Sequence, residues 1–164
     1  MKTHEEYMEL ALEEARKAEE IDEVPVGCII VCDGEIIARG HNLKEQLNQA
    51  YAHAEMMTIQ KAAEVKGNWC LNDCDLYVTL EPCMMCTGII NLSRIRTVYY
   101  GTTDPKGGCL ETVIDLKKIN RLNHYPNIVG NILRKECSEI LTNYFRKKRE
   151  TTKEKKQKNK ANIQ

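Results

Sequence analysis

The chain has 164 residues, a hydrophobic fraction of 42% and a formal net charge of zero. This length is typical of one domain with a substantial core, and no apolar run is long enough to span a membrane. The N-terminus is acidic and amphipathic, unlike a signal peptide. We therefore expect a cytoplasmic protein in which the eight cysteines stay reduced.

The neutral net charge conceals two oppositely charged ends. Residues 1–23 contain three Lys/Arg and nine Asp/Glu, whereas residues 146–160 contain nine Lys/Arg and two Asp/Glu. A basic block of this kind is usually a solvated tail, although enzymes that act on nucleic acids also place one near their substrate. Low complexity beyond Glu150 predicts that residues 150–164 form a disordered tail.

The first part of the chain predicts a helix followed by a β-hairpin. Apolar positions between His4 and Glu20 have helical spacing. Residues 27–32 and 35–39 have the composition of strands, and Asp33-Gly34 between them is a strong two-residue hairpin signal. The buried stripe of the helix is predicted to comprise Met8, Ala11, Leu12, Ala15 and Ala18.

Four cysteines lie outside the main motif. Cys28 and Cys32 would be separated by about 13 Å along a strand, too far to chelate one ion, so we interpret them as small core residues. Cys70 and Cys74 have no histidine or further cysteine close by in the sequence. We interpret them as core or incidental thiols.

A strand–helix–strand unit dominates the second half of the chain. Residues 76–80 and 97–100 are predicted strands, and a right-handed crossover through a helix over 83–92 should make them parallel. Together with the antiparallel hairpin, this unit predicts a mixed sheet between helices. The loop 101–108 then lies at the end of a strand where α/β sheets place ligand contacts. Further predicted elements are a helix from His53 to Gly67 with Met56, Ile59 and Ala63 inward, a helix over 110–118, a short piece over 127–130 and a last helix over 132–148.

The sequence Pro82-Cys-Met-Met-Cys86 begins the predicted helix of this unit. Two cysteines three positions apart share one face of a helix, and a helix N-terminus favours their thiolate forms. A lone Cys-x-x-Cys motif is ambiguous between a metal site, a redox dithiol and coincidence.

The upstream motif His53-Ala-Glu55 favours a metal. Residues two apart point to different sides of a regular helix, so His53 and Glu55 can serve one pocket only at a helix entry. His53, Cys83 and Cys86 would give zinc three protein ligands, leaving the fourth tetrahedral position for water, as in catalytic sites. We expect one zinc per chain, with Glu55 unligated as the proton carrier.

These motifs resemble the zinc-dependent nucleoside and nucleobase deaminases, and most closely the bacterial tRNA-specific adenosine deaminases. The resemblance extends over nearly the whole chain and includes Asp104-Pro-Lys106 and the ending Tyr144-Phe-Arg-Lys-Lys-Arg149. It implies one zinc deaminase domain over residues 1–149. The implied fold is cytidine deaminase-like, a three-layer α/β/α sandwich with a mixed sheet of about five strands.

The resemblance also implies a substrate and its contacts. The activity would be hydrolytic conversion of the wobble adenosine of a tRNA anticodon loop to inosine by a homodimer. Independently of the resemblance, the lack of a long apolar run predicts no membrane partner. Asn42 would hydrogen-bond the flipped base, and Asp104 and Lys106 would contact the ribose and neighbouring backbone. Tyr144, Phe145 and Arg146 would bind the anticodon loop.

Several alternatives stay open. Asn42 could cap a loop, and Tyr144 and Phe145 could belong to the core at a helix end. Gln49-Ala-Tyr51 and Gly107-Gly108 depart from the family pattern near the pocket. A free-base or nucleoside deaminase acting on guanine, cytosine or cytidine would use the same zinc chemistry. From another class, an RNA-binding module with a structural zinc would not need Glu55.

Overall fold

The computed structural model describes residues 1–163, which form a mixed five-stranded sheet with helices on both faces. The elements are α1 His4–Glu20, β1 Gly27–Cys32, β2 Glu35–His41, α2 Lys44–Leu47, α3 Ala54–Lys66, β3 Cys74–Leu80, α4 Met84–Leu92, β4 Thr97–Thr102, a 3-10 turn Leu116–Lys118, β5 Asn127–Val129 and α5 Arg134–Asn162. The strand order is β2-β1-β3-β4-β5; β1 is antiparallel to β2 and β3, whereas β4 is parallel to β3 and β5. The predicted mixed sheet and the parallel strand–helix–strand unit are therefore confirmed.

Two hydrophobic cores lie on opposite faces of the sheet, because successive strand residues point to opposite sides. Along β1, Cys28 and Ile30 join the core beneath α3 and α4, whereas Ile29 and Val31 join the core beneath α1 and α5. This alternation produces the three-layer sandwich that was expected. No described helix is long and apolar enough to cross a membrane.

Helix α1 packs closely on the sheet. Its N-terminus has a capping box in which Thr3 and Glu6 satisfy each other's backbone N–H groups. A side chain at Gly27 would overlap the backbone carbonyl of Ala11, so glycine is required for this close approach. The whole predicted apolar stripe of the helix is buried: Met8, Ala11, Leu12, Ala15 and Ala18.

The predicted hairpin is also present. Asp33 and Gly34 have φ values of 50° and 81°, the left-handed conformations that a type I′ turn requires. The second strand extends to His41, two residues beyond the expected end. This extension places Asn42 directly after the strand.

The expectation that every cysteine is a free thiol is wrong for one pair. Cys32 and Cys74 form a disulfide, with their Cα atoms 4.5 Å apart. They are direct partners in the antiparallel register of β1 and β3, which the spacing within a single strand could not reveal. The other six cysteines are free.

Several local expectations need correction. Residues 110–115 do not form a helix, and only the 3-10 turn at Leu116–Lys118 is present there. The short helix α2 interrupts the expected polar loop after Asn42. In α3 Ile59 is buried as expected, but Met57 and Ala62 are buried in place of Met56 and Ala63, which are only partly buried.

The expectation of a disordered tail over residues 150–164 is also wrong for the described part. Helix α5 continues through Asn162, and every residue from Phe145 to Ile163 is exposed. This segment has too few apolar residues to build a core, but it lacks glycine and proline and is rich in good helix formers. Extending an existing helix avoids the cost of nucleation, so the chain stays helical without packing.

Candidate active site

The site lies where two helices begin. His53 is the N-cap residue of α3 and Cys83 is the N-cap residue of α4, both with extended backbone angles. Cys86 follows in the first turn of α4. The expected position of His53 and Glu55 at a helix entry is therefore what the structure shows. Pro82 precedes the N-cap and lies two positions before Met84, the first residue of α4, so it is outside the first turn where the sequence predicts it.

The three candidate ligands have the geometry of a zinc site. Nδ1 of His53 lies 3.6 Å from Sγ of Cys83 and 3.7 Å from Sγ of Cys86. With Zn–S bonds of about 2.3 Å and Zn–N bonds of about 2.0–2.1 Å, a tetrahedral angle separates sulfur and nitrogen by roughly 3.6 Å. The three donor atoms all lie within 4.8 Å of one another. This donor set fits zinc with three protein ligands.

Glu55 lies beside the ligands without belonging to their cluster. Its carboxylate is buried, with Oε2 accepting a hydrogen bond of 3.3 Å from the Cys86 thiol. Burial raises the pKa of this carboxyl, because desolvation penalises the charged form. A carboxyl in this position, with its pKa raised above the ordinary value, is placed to accept a proton and return it.

The two thiols differ in acidity before any metal is bound. Interaction with the neighbouring Cys86 thiol, and after it the hydrogen bond with His53, lowers the pKa of Cys83 to about 4. The pKa of Cys86 is raised, first by the same interaction with Cys83 and then by burial. The hydrogen bond with Cys83 also raises the pKa of His53. Cys83 is thus the first of the two sulfurs to ionise, and a cation would be needed to ionise both.

A cavity of about 500 Å³ opens above these residues. This volume is within the usual range for small-molecule and cofactor sites. Its walls come from the loop after β2, the two helix starts, the loop after β4 and helix α5. Among the predicted site residues it is lined by Asn42, His53, Glu55, Cys83, Asp104 and Tyr144.

Asn42 connects the cavity wall to the start of α3. Its Oδ1 accepts a hydrogen bond of 2.8 Å from the backbone N–H of Ala54, and its Nδ2 donates one of 3.1 Å to the carbonyl of Val24. The predicted alternative of a loop-holding role is therefore present in the structure. An amide has two donor hydrogens and two acceptor lone pairs, so these bonds leave capacity for a substrate.

Glu81 is a site-shaping residue that the sequence analysis missed. It is buried at the end of β3, where Oε2 accepts hydrogen bonds from the backbone N–H groups of residues 110, 111 and 112. Its Oε1 accepts from the backbone N–H of Asp104 at 3.3 Å and from the Thr112 hydroxyl at 2.5 Å. A Cβ at Gly108 would overlap this carboxylate. A glutamate immediately before Pro-Cys, at the end of an apolar strand, was the available signal.

Helix α5 is fastened to the cavity by Asp22. The Tyr144 hydroxyl donates to Oδ1 of Asp22 at 3.2 Å, and Nζ of Lys148 donates to Oδ2 at 2.5 Å. The hydrogen bond from Lys148 lowers the pKa of Asp22, with a further contribution from Tyr144. Tyr144 is only 8% exposed, in agreement with the alternative that it belongs to the core at a helix end. The residue also lines the cavity.

A second cavity of about 660 Å³ adjoins the first, and Asp104 lines both. Lys106 and Phe145 line the second cavity together with Arg149. Phe145 is 44% exposed, so it is not a core residue. Arg146 lines neither of these two cavities. The structure thus brings together the predicted site residues around two adjoining cavities, with two exceptions. Cys86 is buried and joins the site through His53 and Glu55, and Arg146 lines neither cavity.

Comparison with known proteins agrees with this site. The cytidine and deoxycytidylate deaminase zinc-binding region matches residues 1–102. The tRNA-specific adenosine deaminase of Bacillus subtilis is 48% identical over 147 residues, covering 90% of this chain and 91% of its own. That of Agrobacterium fabrum is 47% identical over 148 residues, covering 90% of this chain and 96% of its own.

Solved structures give the same picture. A tRNA:A34 deaminase, studied for A-to-I editing at the wobble position of transfer RNA, superimposes with a TM-score of 0.80 at 46% identity, covering 83% of this chain and 99% of its own. The guanine deaminase of Bacillus subtilis has a TM-score of 0.60 at 38% identity, covering 62% of this chain and 66% of its own. The chain therefore belongs to the zinc-binding cytidine and deoxycytidylate deaminase family, within its branch of bacterial tRNA-specific adenosine deaminases.

Proposed function

We propose that this protein hydrolyses the wobble adenosine of a tRNA anticodon loop to inosine, releasing ammonia, with one zinc bound per chain. The observation that carries the proposal is the buried, unligated Glu55 carboxylate, 3.3 Å from Cys86 and beside the His53–Cys83–Cys86 cluster. A purely structural zinc site would not need an unligated acid in this place. The high identity to tRNA-specific adenosine deaminases supports the substrate.

Each residue of the site has a part in this chemistry. When bound by His53, Cys83 and Cys86, zinc supplies a Lewis acid that makes water nucleophilic at neutral pH. Glu55 removes a proton from the attacking water and delivers protons to the ring nitrogen and to the departing ammonia. Its raised pKa suits this task, because a proton carrier works best when its pKa lies near the working pH.

The walls of the two cavities suit a base that has been flipped out of an RNA loop. Asn42 supplies amide groups close to Glu55, and Asp104 lies where the two cavities meet. In the second cavity, Phe145 offers a partly exposed ring for stacking and Lys106 offers a positive charge. Aromatic and cationic side chains are the groups that single-stranded RNA requires. Arg146 would bind the loop from outside these cavities.

The protein would act as a homodimer in the cytoplasm, where its substrate is found. An exposed apolar groove along α4 supports self-association, because isolated proteins seldom leave such surfaces open. Met84 and Leu92 are 66% and 64% exposed, and the groove itself is lined by Met84, Gly88, Ile114 and Ile119, among others.

A second candidate function is deamination of a free base or nucleoside. The structural similarity to a guanine deaminase favours it, since the zinc chemistry would be shared. Such an enzyme would have no use for Lys106, Phe145 and Arg149 around a second cavity.

The test compares substrates directly. The zinc-loaded protein is incubated with an anticodon stem-loop carrying a wobble adenosine, and separately with adenosine, guanine, cytosine and cytidine, and ammonia release is measured. We expect rapid deamination of the stem-loop and poor turnover of free adenosine, because contacts remote from the reacting base position it. Efficient turnover of guanine or cytidine with an inert stem-loop would support the second candidate instead.

A further inference from the structure

Five basic residues form a single stripe along the second half of α5. Their spacing alternates between three and four residues, which places side chains on one face of a helix. All five are exposed, and α5 is helical throughout their span. The stripe runs over fifteen residues, and its first and last members are about 21 Å apart along the helix axis at the usual rise per residue. Its members are Arg146, Arg149, Lys153, Lys156 and Lys160.

The stripe begins at the candidate active site. Arg149 lines the second cavity with Lys106 and Phe145. Beyond Arg149 every described residue of α5 is exposed, so the helix carries the remaining three stripe residues away from the folded body. A straight helix cannot turn back into the cavity. Whatever contacts Lys153, Lys156 and Lys160 must therefore lie outside the cavity, next to whatever occupies it.

A different face of α5 interacts with an acidic residue of the folded domain, Asp22. Lys148 binds Asp22, and Lys155 also helps to lower the pKa of Asp22. In the part of the chain that the structure describes, no stripe residue forms a salt bridge or a side-chain hydrogen bond. The stripe is thus a row of positive charge without an internal partner, whereas the Lys148 face has one.

We propose that this stripe, here called the α5 basic stripe, binds phosphates of the base-paired anticodon stem while the loop occupies the cavities. The proposal rests on the proposed function for the presence of an RNA substrate. A loop and its stem are contiguous, so a basic rod leaving the loop site is placed to follow the stem backbone. Basic side chains bind phosphates without reading base sequence, which suits contacts with the backbone of a base-paired stem.

An anionic membrane surface fits the stripe less well. A helix that lies on a membrane needs an apolar face opposite or beside its basic residues. Around the stripe, α5 instead presents polar residues and further charges, including Thr152, Glu154 and Gln157. The chemistry of this segment therefore favours a solvated phosphate backbone.

The test uses two triple variants of the full-length, zinc-loaded protein. Lys153→Gln/Lys156→Gln/Lys160→Gln removes three charges from the α5 basic stripe. Lys147→Gln/Lys155→Gln/Lys158→Gln removes three charges from the opposite side of the same helix. Glutamine and lysine have similar helix propensities, so both variants should stay helical, which circular dichroism checks. Binding to the stem-loop is measured against salt concentration, together with inosine formation at saturating RNA.

We expect the stripe variant alone to show a flatter salt dependence. Each lost phosphate contact lowers the slope of log affinity against log salt by roughly 0.7–0.9, so three contacts lower it by about 2 to 3. Affinity at low salt should fall at least tenfold, whereas inosine formation at saturating RNA should match the parent. The control variant should stay close to the parent in slope.

Binding of the three proteins to phosphatidylserine-containing vesicles is measured in parallel. Two outcomes would overturn the proposal while the parent still binds the stem-loop and forms inosine: equal slopes in the two variants, or loss of vesicle binding by the stripe variant with its RNA binding unchanged. Failure of the proposed function looks different. In that case the parent forms no inosine, whatever the binding curves show.

Discussion

The backbone N–H of Ala54 donates a 2.8 Å hydrogen bond to Oδ1 of Asn42, which joins the loop after β2 to the first residue of α3. The first N–H groups of a helix have no partner within the helix. Asn42 satisfies one of them and thereby fixes the backbone next to His53 and Glu55. The same side chain lines the cavity, so it both builds the site and is available to a substrate.

This double role predicts a separation of two effects. Asn42→Ala leaves a backbone donor unpaired and should lower the free energy of unfolding by about 1–3 kcal/mol. Asn42→Asp keeps the acceptor for the backbone N–H of Ala54, but it loses the hydrogen bond to the Val24 carbonyl and the amide donor offered to a base, so it should also raise KM for the stem-loop. Thermal or denaturant unfolding measures the effect on stability, and KM for the stem-loop measures the effect on substrate binding. A normal KM in Asn42→Asp would show that the Asn42 amide does not bind the substrate.

Glu81 is predicted to hold the loop that carries Asp104. Glu81→Gln places an amide among five hydrogen-bond donors, so it should cost about 2–4 kcal/mol of stability and raise KM for the stem-loop, because hydrogen bonds to a charged group are lost. The exposed Glu64→Gln serves as the control. A Glu81→Gln protein with the stability and KM of the parent would show that this network does not support the site.

The metal assignment predicts one zinc per chain. Cys83→Ala and Cys86→Ala should each lose zinc and become less stable, since metal binding is coupled to folding. Cys70→Ala should keep the parent's zinc content, because Cys70 is a free cysteine outside the cluster. Elemental analysis of purified protein measures this. Two zincs per chain, or full zinc in Cys86→Ala, would contradict the three-ligand site.

The disulfide predicts a redox-dependent stability. Cys32 and Cys74 are separated by 42 residues, and closing such a loop is worth about 4 kcal/mol in the chain-entropy treatment. Dithiothreitol should therefore lower the free energy of unfolding of the parent by about 2–4 kcal/mol. Cys32→Ser/Cys74→Ser should have the lower stability without reductant and respond little to it. A parent that is insensitive to reductant would show that the bond contributes nothing to the fold.

Local sequence patterns predicted most of the site but not its long-range supports. The motif at His53 predicts one helix start that carries a ligand, and the motif at Cys83 predicts a second. The ligand cluster forms where these two helix starts meet. The pairing of Cys32 with Cys74 depends on strand register, which neither cysteine's own neighbours encode. Glu81 likewise acts on residues 104–112, a loop whose path follows from the tertiary fold.

The end of α5 differs for another reason. Its composition predicts a segment that is exposed and packs against nothing, and the structure confirms the exposure. The prediction of disorder fails because the exposed segment is helical. Helix formation needs only a preceding helix and suitable propensities, and it does not require a buried face. The helix fixes where the basic residues from Arg149 to Lys160 lie relative to the second cavity. Composition alone does not determine their positions.

Single-turnover inosine formation, in a stem-loop whose only reactive adenosine is at the wobble position, measures whether this site deaminates the wobble base. The zinc-loaded parent should convert this adenosine and leave the same stem-loop inert when the adenosine is moved one position along the loop. Glu55→Ala should keep its zinc and its RNA affinity while the rate falls by roughly 10²–10⁴-fold, the usual contribution of a positioned proton carrier. Normal deamination by Glu55→Ala, or equal conversion of the displaced adenosine, would contradict the account.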